Sequence, residues 1–280
     1  MTRDDLILLG LSSAGTAAIG YFLWRWDVIR PTSFPPKKQR DVAGVPTVVW
    51  MLCAMVIYLG LAEGAFLAGH IPTSVLGEPT SLRHTALFQL AAYAIAIAVA
   101  AVVVFLLRAR VSDKSGLNWR WSDAGRGIVA MVLLAPVCVL VSFLTQKLAG
   151  LISGQPPDNL DHETLRQIVD NRHSAWAWII AATAVIGAPI VEEILYRAML
   201  QSCFLRLLER TWPAIIGTSA IFAAMHFVGG GPVSWRALPT LFTLSVGIGI
   251  AFERTRGLAT PITMHVLFNA ANIAVAILQR

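Results

Sequence analysis

The chain has 280 residues, of which 56% are hydrophobic and only 14% charged, with Lys+Arg 22 against Asp+Glu 16. Soluble domains carry about 25% charged residues, and here a mean hydropathy of +0.66 is concentrated in long uncharged blocks. An ordinary soluble domain is excluded, and an all-α, polytopic transmembrane helical bundle is expected. The basic excess falls in loops between apolar runs, a pattern that orients a protein in a bilayer and gives no reason to expect a nucleic-acid partner.

In chain order, the first apolar span covers residues 6–24. Its flank Met1-Thr-Arg-Asp-Asp5 lacks the positive character of a cleaved secretory leader, so it reads as a membrane helix. Residues 25–44 hold five basic residues and Pro31, Pro35 and Pro36, which break any helix. Spans two and three cover 45–68 and 85–107, joined by a turn-rich link with Pro72, Gly77 and Pro79. A second basic loop follows, then a fourth span at 127–152. Residues 153–174 form a polar insert that opens with Gly154-Gln-Pro-Pro157, and Leu160, Leu165, Ile168 and Val169 predict a short amphipathic helix on the membrane interface. The remaining spans fall at 175–200, 213–228, 237–252 and 261–278, about eight in all.

Charge bias supports that count. The odd-numbered loops hold five, five, three and two basic residues, fifteen in total, and the termini and other loops hold the remaining seven of 22. Basic loops are therefore expected to be cytoplasmic, with both termini opposite, in the cell membrane if the source is bacterial.

Gly187-Ala-Pro-Ile-Val-Glu-Glu-Ile-Leu-Tyr-Arg197 places two carboxylates and a guanidinium inside an apolar span. Intramembrane ionisable groups are costly unless paired or facing a wet cavity, so they mark function by default. On a helix Glu193 and Arg197 stand four apart with the acid first, the favourable order for an ion pair. Glu192 is rotated by about 100° and cannot share that pairing equally. Glu193–Arg197 is thus read as structural support and Glu192 as the free carboxylate. A desolvated carboxylate holds a proton more readily, which suits a general base working near neutral pH. Pro189 withholds a backbone hydrogen bond and predicts a kink through which water could reach Glu192.

Two further groups accompany it. Phe222-Ala-Ala-Met-His226 puts an imidazole late in the sixth span, and His265-Val-Leu-Phe-Asn269 puts an imidazole and an amide on one face of the last. If spans five and six form a hairpin turning at about residue 209, midway between 192 and 226, Glu192 and His226 stand at one height. Other conspicuous residues have plainer readings. Cys53, Cys138 and Cys203 sit in apolar spans without a CxxC pair. Glu63 and His70 lie near the end of span two, where side chains reach the interface. The tryptophans mostly flank spans as anchors. Ser245, Gly247 and Gly249 fit close helix packing, and Gly229-Gly-Gly231 reads as a turn.

The ordered set Glu192-Glu193-x-x-x-Arg197, Phe222-x-x-x-His226 and His265-x-x-x-Asn269 resembles the CAAX protease and bacteriocin-processing (CPBP, or Abi) family of intramembrane endopeptidases, which includes the type II CAAX prenyl proteases. The likeness covers roughly residues 123–280, a catalytic membrane domain of about five spans, after a variable region of about three spans at 1–122. It implies hydrolysis of a peptide bond in a membrane-associated protein or peptide near the cytoplasmic face, with prenylated CAAX-type proteins among the candidate substrates. By motif, Glu192 and His226 would activate water, His265 and Asn269 would stabilise the oxyanion, and Glu193 and Arg197 would support the site. No cofactor is favoured; the alternative is zinc held by Glu192, His226 and His265, as in soluble metalloproteases, although no HExxH is present.

A different class of function stays open: a scaffold, or a small ion- or proton-coupled transporter using the same polar residues. One geometric tension also stands. His226 lies 17 residues beyond the turn at 209, but His265 lies only a few beyond the basic turn at 254–257. With both turns level, the imidazoles would differ in depth by roughly 15 Å; a hairpin at 197–210 that projects from the bilayer would remove the conflict.

Overall fold

The computed structural model describes residues 3–154, 163–228 and 235–279. The chain is an all-α bundle. Its principal helices are α1 (Arg3–Arg25), α2 (Thr47–Gly69), α3 (Leu82–Arg108), α4 (Ser122–Ser153), the short α5 (Glu163–Asp170), α6 (Ala175–Leu208), α7 (Thr211–Val228), α8 (Leu238–Thr255) and α9 (Ala259–Leu278). Among the described residues, 7 helices are long and apolar enough to cross a membrane: α1–α4, α6, α8 with its leading turn, and α9. The expected sixth span is α7, a helix of 18 residues, or about 27 Å at 1.5 Å per residue. The Gly229–Gly231 turn and the Gly154–Leu160 part of the polar insert fall largely outside the described residues.

Local chemistry starts and stops the helices. The Ser81 hydroxyl accepts from His84 N at the start of α3, and Ser174 does the same for Trp176 N at the start of α6, each satisfying one of the donors a helix N-terminus leaves free. Glu209 and Arg256 end α6 and α8 in the left-handed conformation, with φ of 53° and 55°. At the end of α2, His70 Nδ1 donates to Phe66 O at 2.8 Å and its ring lies on Phe66, the local structural part expected of it.

The apolar residues that remain exposed, such as Phe105, Val132 and Leu151, point outward, toward lipid in a membrane protein. Small residues let the helices approach. A Cβ on Gly64 of α2 would stand 2.5 Å from Ala92 O and 3.3 Å from Ala92 Cα of α3, and backbone cannot yield as a side chain can. Gly64→Ala should force the pair apart and destabilise the protein by about 1–3 kcal/mol. Thermal unfolding in detergent checks this, with Gly10→Ala, whose Cβ meets nothing within 4 Å, as the neutral control.

The amphipathic α5 differs from expectation in where its apolar side goes. Ile168 and Val169 are buried against Ala86, Ile180, Ile273 and Ala276. The helix therefore closes one end of the bundle between α3, α6 and α9, because packed side chains there offer more contact than an interface would.

At the opposite end the basic loops converge. Residues 26–46 form a strap across the turns: Gln39 Nε2 donates to Glu209 O, Arg256 Nη2 to Lys38 O, Arg254 Nη2 to Asp27 O, and Trp212 Nε1 to Arg30 O. Asp41 N–H donates to Lys114 O of the second basic loop. The four loops singled out by their positive charge thus share one end of the molecule, as alternating helix direction requires. Beneath the strap, Arg40 is fully buried. Its guanidinium donates to Glu253 Oε1 and Ser202 Oγ at 2.9 Å and to Ser115 O at 2.7 Å, and it lies over the Phe252 ring.

Candidate active site

α6 carries the two adjacent carboxylates, and its backbone is irregular on both sides of them. Thr183–Gly187 and Ile194–Leu200 adopt i→i+5 (π) hydrogen bonding around a short α segment, Ala188–Glu193. Such segments recur at functional sites. Pro189 is buried, and Asn269 Nδ2 donates at 2.9 Å to Ala184 O, five residues earlier.

Glu193 and Arg197 form the expected ion pair. Arg197 Nε meets Glu193 Oε2 at 2.9 Å, with both side chains wholly inaccessible. The guanidinium also donates to Ser245 Oγ of α8 at 2.7 Å. His265 of α9 donates from Nδ1 to the other carboxylate oxygen, Glu193 Oε1, at 2.8 Å. Both oxygens of Glu193 are therefore engaged: one holds a guanidinium and the other an imidazole N–H. Buried charges persist only when paired and hydrogen-bonded in this way.

Glu192 faces a different direction, as its rotation about the helix requires. Its Oε2 lies 3.9 Å from His226 Nε2 and 3.8 Å from His265 Nε2. These separations are too long for direct hydrogen bonds, and Oε2 has no hydrogen-bond partner among the described residues. The tautomers follow from the other ring nitrogens. His226 Nδ1 is 2.8 Å from Phe222 O, a carbonyl that can only accept, so Nδ1 bears the proton and Nε2 is turned toward Glu192. His265 is fixed the same way by Glu193. Phe222, wholly buried, separates the parts: its ring packs 4.5 Å from the His226 centroid, 5.8 Å from that of His265 and 5.6 Å from Arg197 Cζ. The aromatic in the Phe222-x-x-x-His226 spacing thus positions both imidazoles.

The two histidines meet one carboxylate oxygen, so they lie at one depth. Gln201 of α6 donates to Gly249 O and to Glu253 Oε1 near the end of α8. From that level α6 runs on eight residues to its turn at Glu209 and α8 three to seven residues to its turn at Arg256, and the neighbouring strap residues Gln39 and Lys38 bond to the two turns.

No sequence pattern marked Ser245 as a hydrogen-bond partner of Arg197, nor the buried Arg40–Glu253–Gln201 group. Glu253 is the one acid within the α8 sequence, and that isolation was the available signal. Arg40 is one basic residue among five in its loop and carried none.

The chemistry of Glu192 and the two imidazole Nε2 atoms is of a kind zinc accepts. Among the described residues, however, no group of three or more His, Cys, Asp or Glu is placed to hold a metal ion. The present separations are wider than the roughly 3.3 Å expected between ligands of a tetrahedral site with bonds of about 2.0–2.1 Å.

Fold and cluster together define a class: an integral, multi-pass membrane protein with a polar site sunk among its helices. Residues 174–271, which contain every residue of the three motifs, match the family model for type II CAAX prenyl endopeptidase Rce1-like proteins. The match covers 98 of the 280 residues and is to the kind of protein that the three motifs resemble. No curated protein and no solved structure matches the chain.

Proposed function

We propose that the protein hydrolyses a peptide bond of a membrane-associated protein or peptide, at the end of the bundle where the basic loops gather and which faces the cytoplasm. The observation that carries this reading is the convergence of Glu192 Oε2 with the two Nε2 atoms at 3.8–3.9 Å. With Glu192 ionised and the His226 imidazole neutral and protonated at Nδ1, Glu192 Oε2 and His226 Nε2 are both acceptors. Two acceptors aimed at one point select a donor between them, and water is the smallest donor available in a bilayer-embedded site.

In this mechanism Glu192 takes a proton from that water, oriented by His226 Nε2, as the water oxygen attacks the scissile carbonyl carbon. The carbonyl oxygen becomes an oxyanion. His265 carries a proton on each ring nitrogen in this mechanism, donating from Nδ1 to Glu193 and from Nε2 to the oxyanion. The second N–H of the Asn269 amide adds another donor. Collapse of the intermediate breaks the C–N bond, and the proton held by Glu192 passes to the departing amine. No metal enters these steps. Glu193 and Arg197 touch no reacting atom; they hold His265 and α6 in register.

The test uses purified protein in detergent with a panel of membrane-anchored peptides, a prenylated CAAX-type peptide among them, with and without a chelator. Cleavage that persists in chelator is expected. Cleavage lost to chelator and restored by Zn²⁺ would move Glu192, His226 and His265 to ligand roles. No cleavage of any peptide, together with a Glu192-dependent proton flux in vesicles, would replace the protease with a proton path.

A further inference from the structure

Asn269 spends one amide N–H on a bond that oxyanion stabilisation does not explain. Over Thr183–Gly187, α6 is in i→i+5 register, and Ala188 N–H donates to Thr183 O. In that register the next carbonyl, Ala184 O, would accept from residue 189. Residue 189 is proline and has no N–H. An unsatisfied carbonyl at membrane depth is costly. The structure fills the gap from another helix: Asn269 Nδ2 of α9 donates to Ala184 O at 2.9 Å. Glu192 follows three residues after the proline, within the same short α segment.

We propose that Asn269 is a positioning residue, supplying to α6 the hydrogen bond that Pro189 withholds and so fixing the rotation at which Glu192 faces His226 and His265. The physical reason is register. If Ala184 O lost its donor, Ala188 N–H could switch from Thr183 O to Ala184 O and the π turn would relax to i→i+4. Each residue of register is worth about 100° of helix rotation, enough to swing Glu192 out of the convergence. Pro189 and Asn269 thus form one device on two helices: the proline empties a carbonyl and the amide occupies it. The second N–H of the amide remains for substrate.

The proposal rests on the reading of Glu192 as the base only in its activity arm, and the experiment separates the two. Wild type, Asn269→Ala, Pro189→Ala and the Pro189→Ala/Asn269→Ala double variant are purified in detergent, and Tm and peptide cleavage are measured. Restoring a backbone N–H at position 189 gives Ala184 O a helical donor without restoring any group that could reach substrate. The expected result is that Asn269→Ala lowers both Tm and kcat, with KM little changed, and that the double variant recovers Tm and at least about tenfold of kcat over Asn269→Ala. Should Asn269→Ala alone fail to fold, recovery of folded protein in the double variant is the same result. Additive losses in Tm would overturn the proposal even if no substrate is cleaved by wild type. Recovered Tm without recovered kcat, in an active wild type, would overturn the positioning role and leave Asn269 as a substrate contact.

Discussion

Glu192→Gln should lower kcat by about 10²–10⁴-fold, the range a positioned general base contributes, and leave Tm close to wild type. The substitution is nearly isosteric. It removes a carboxylate that has no hydrogen-bond partner at Oε2 among the described residues, so no buried pair is broken. It replaces an acceptor that can take a proton with an amide that cannot. Because the effect lies in proton transfer, KM should change little. Circular dichroism and thermal unfolding of the same preparation establish that the fold is intact. Cleavage by the variant within a few-fold of wild type would remove Glu192 from the base role, and His226, whose Nε2 shares the same convergence at 3.9 Å, would become the candidate.

The second large effect falls on stability. Arg197→Met should destabilise by about 3–5 kcal/mol, the cost of breaking a buried ion pair from one side. Glu193 would keep His265 Nδ1 at 2.8 Å but lose its guanidinium, and Ser245 Oγ would lose its donor. The asymmetry between single and double substitution is the check. Glu193→Gln/Arg197→Met removes both charges, leaves no isolated ion, and should be markedly less damaging than Arg197→Met alone, read as Tm in detergent. A double variant that loses as much as the sum of the singles would show that the two side chains act separately. Cleavage should fall in both variants, because His265 loses its orienting partner or that partner's charge.

The two predictions divide adjacent residues into opposite roles, and that division was legible in the sequence. Glu193 and Arg197 stand at i,i+4 on a helix with the acid first, so pairing follows from helix geometry. Glu192 is turned away by the same geometry. The spacing of Glu192 and His226 about residue 209 likewise foretold their meeting, because an antiparallel hairpin maps sequence distance onto height. The helical bundle and the common end of the basic loops were also readable, because apolar length and charge bias are properties of composition along the chain.

Other features needed the folded chain. The equal depth of His226 and His265 depends on how α7 and α9 pack against α6, which brings both imidazoles to one oxygen of Glu192. The burial of Arg40 depends on the strap folding back over turns more than 160 residues away. The π register that leaves Ala184 O for Asn269 depends on a hydrogen bond between helices 85 residues apart. By itself the sequence determined which groups are ionisable, which lie on one helical face and which face is apolar, since these follow from local periodicity. Only the tertiary structure decided which carbonyl, carboxylate and imidazole satisfy one another, because a buried polar group takes its partner from whatever helix is nearest in space.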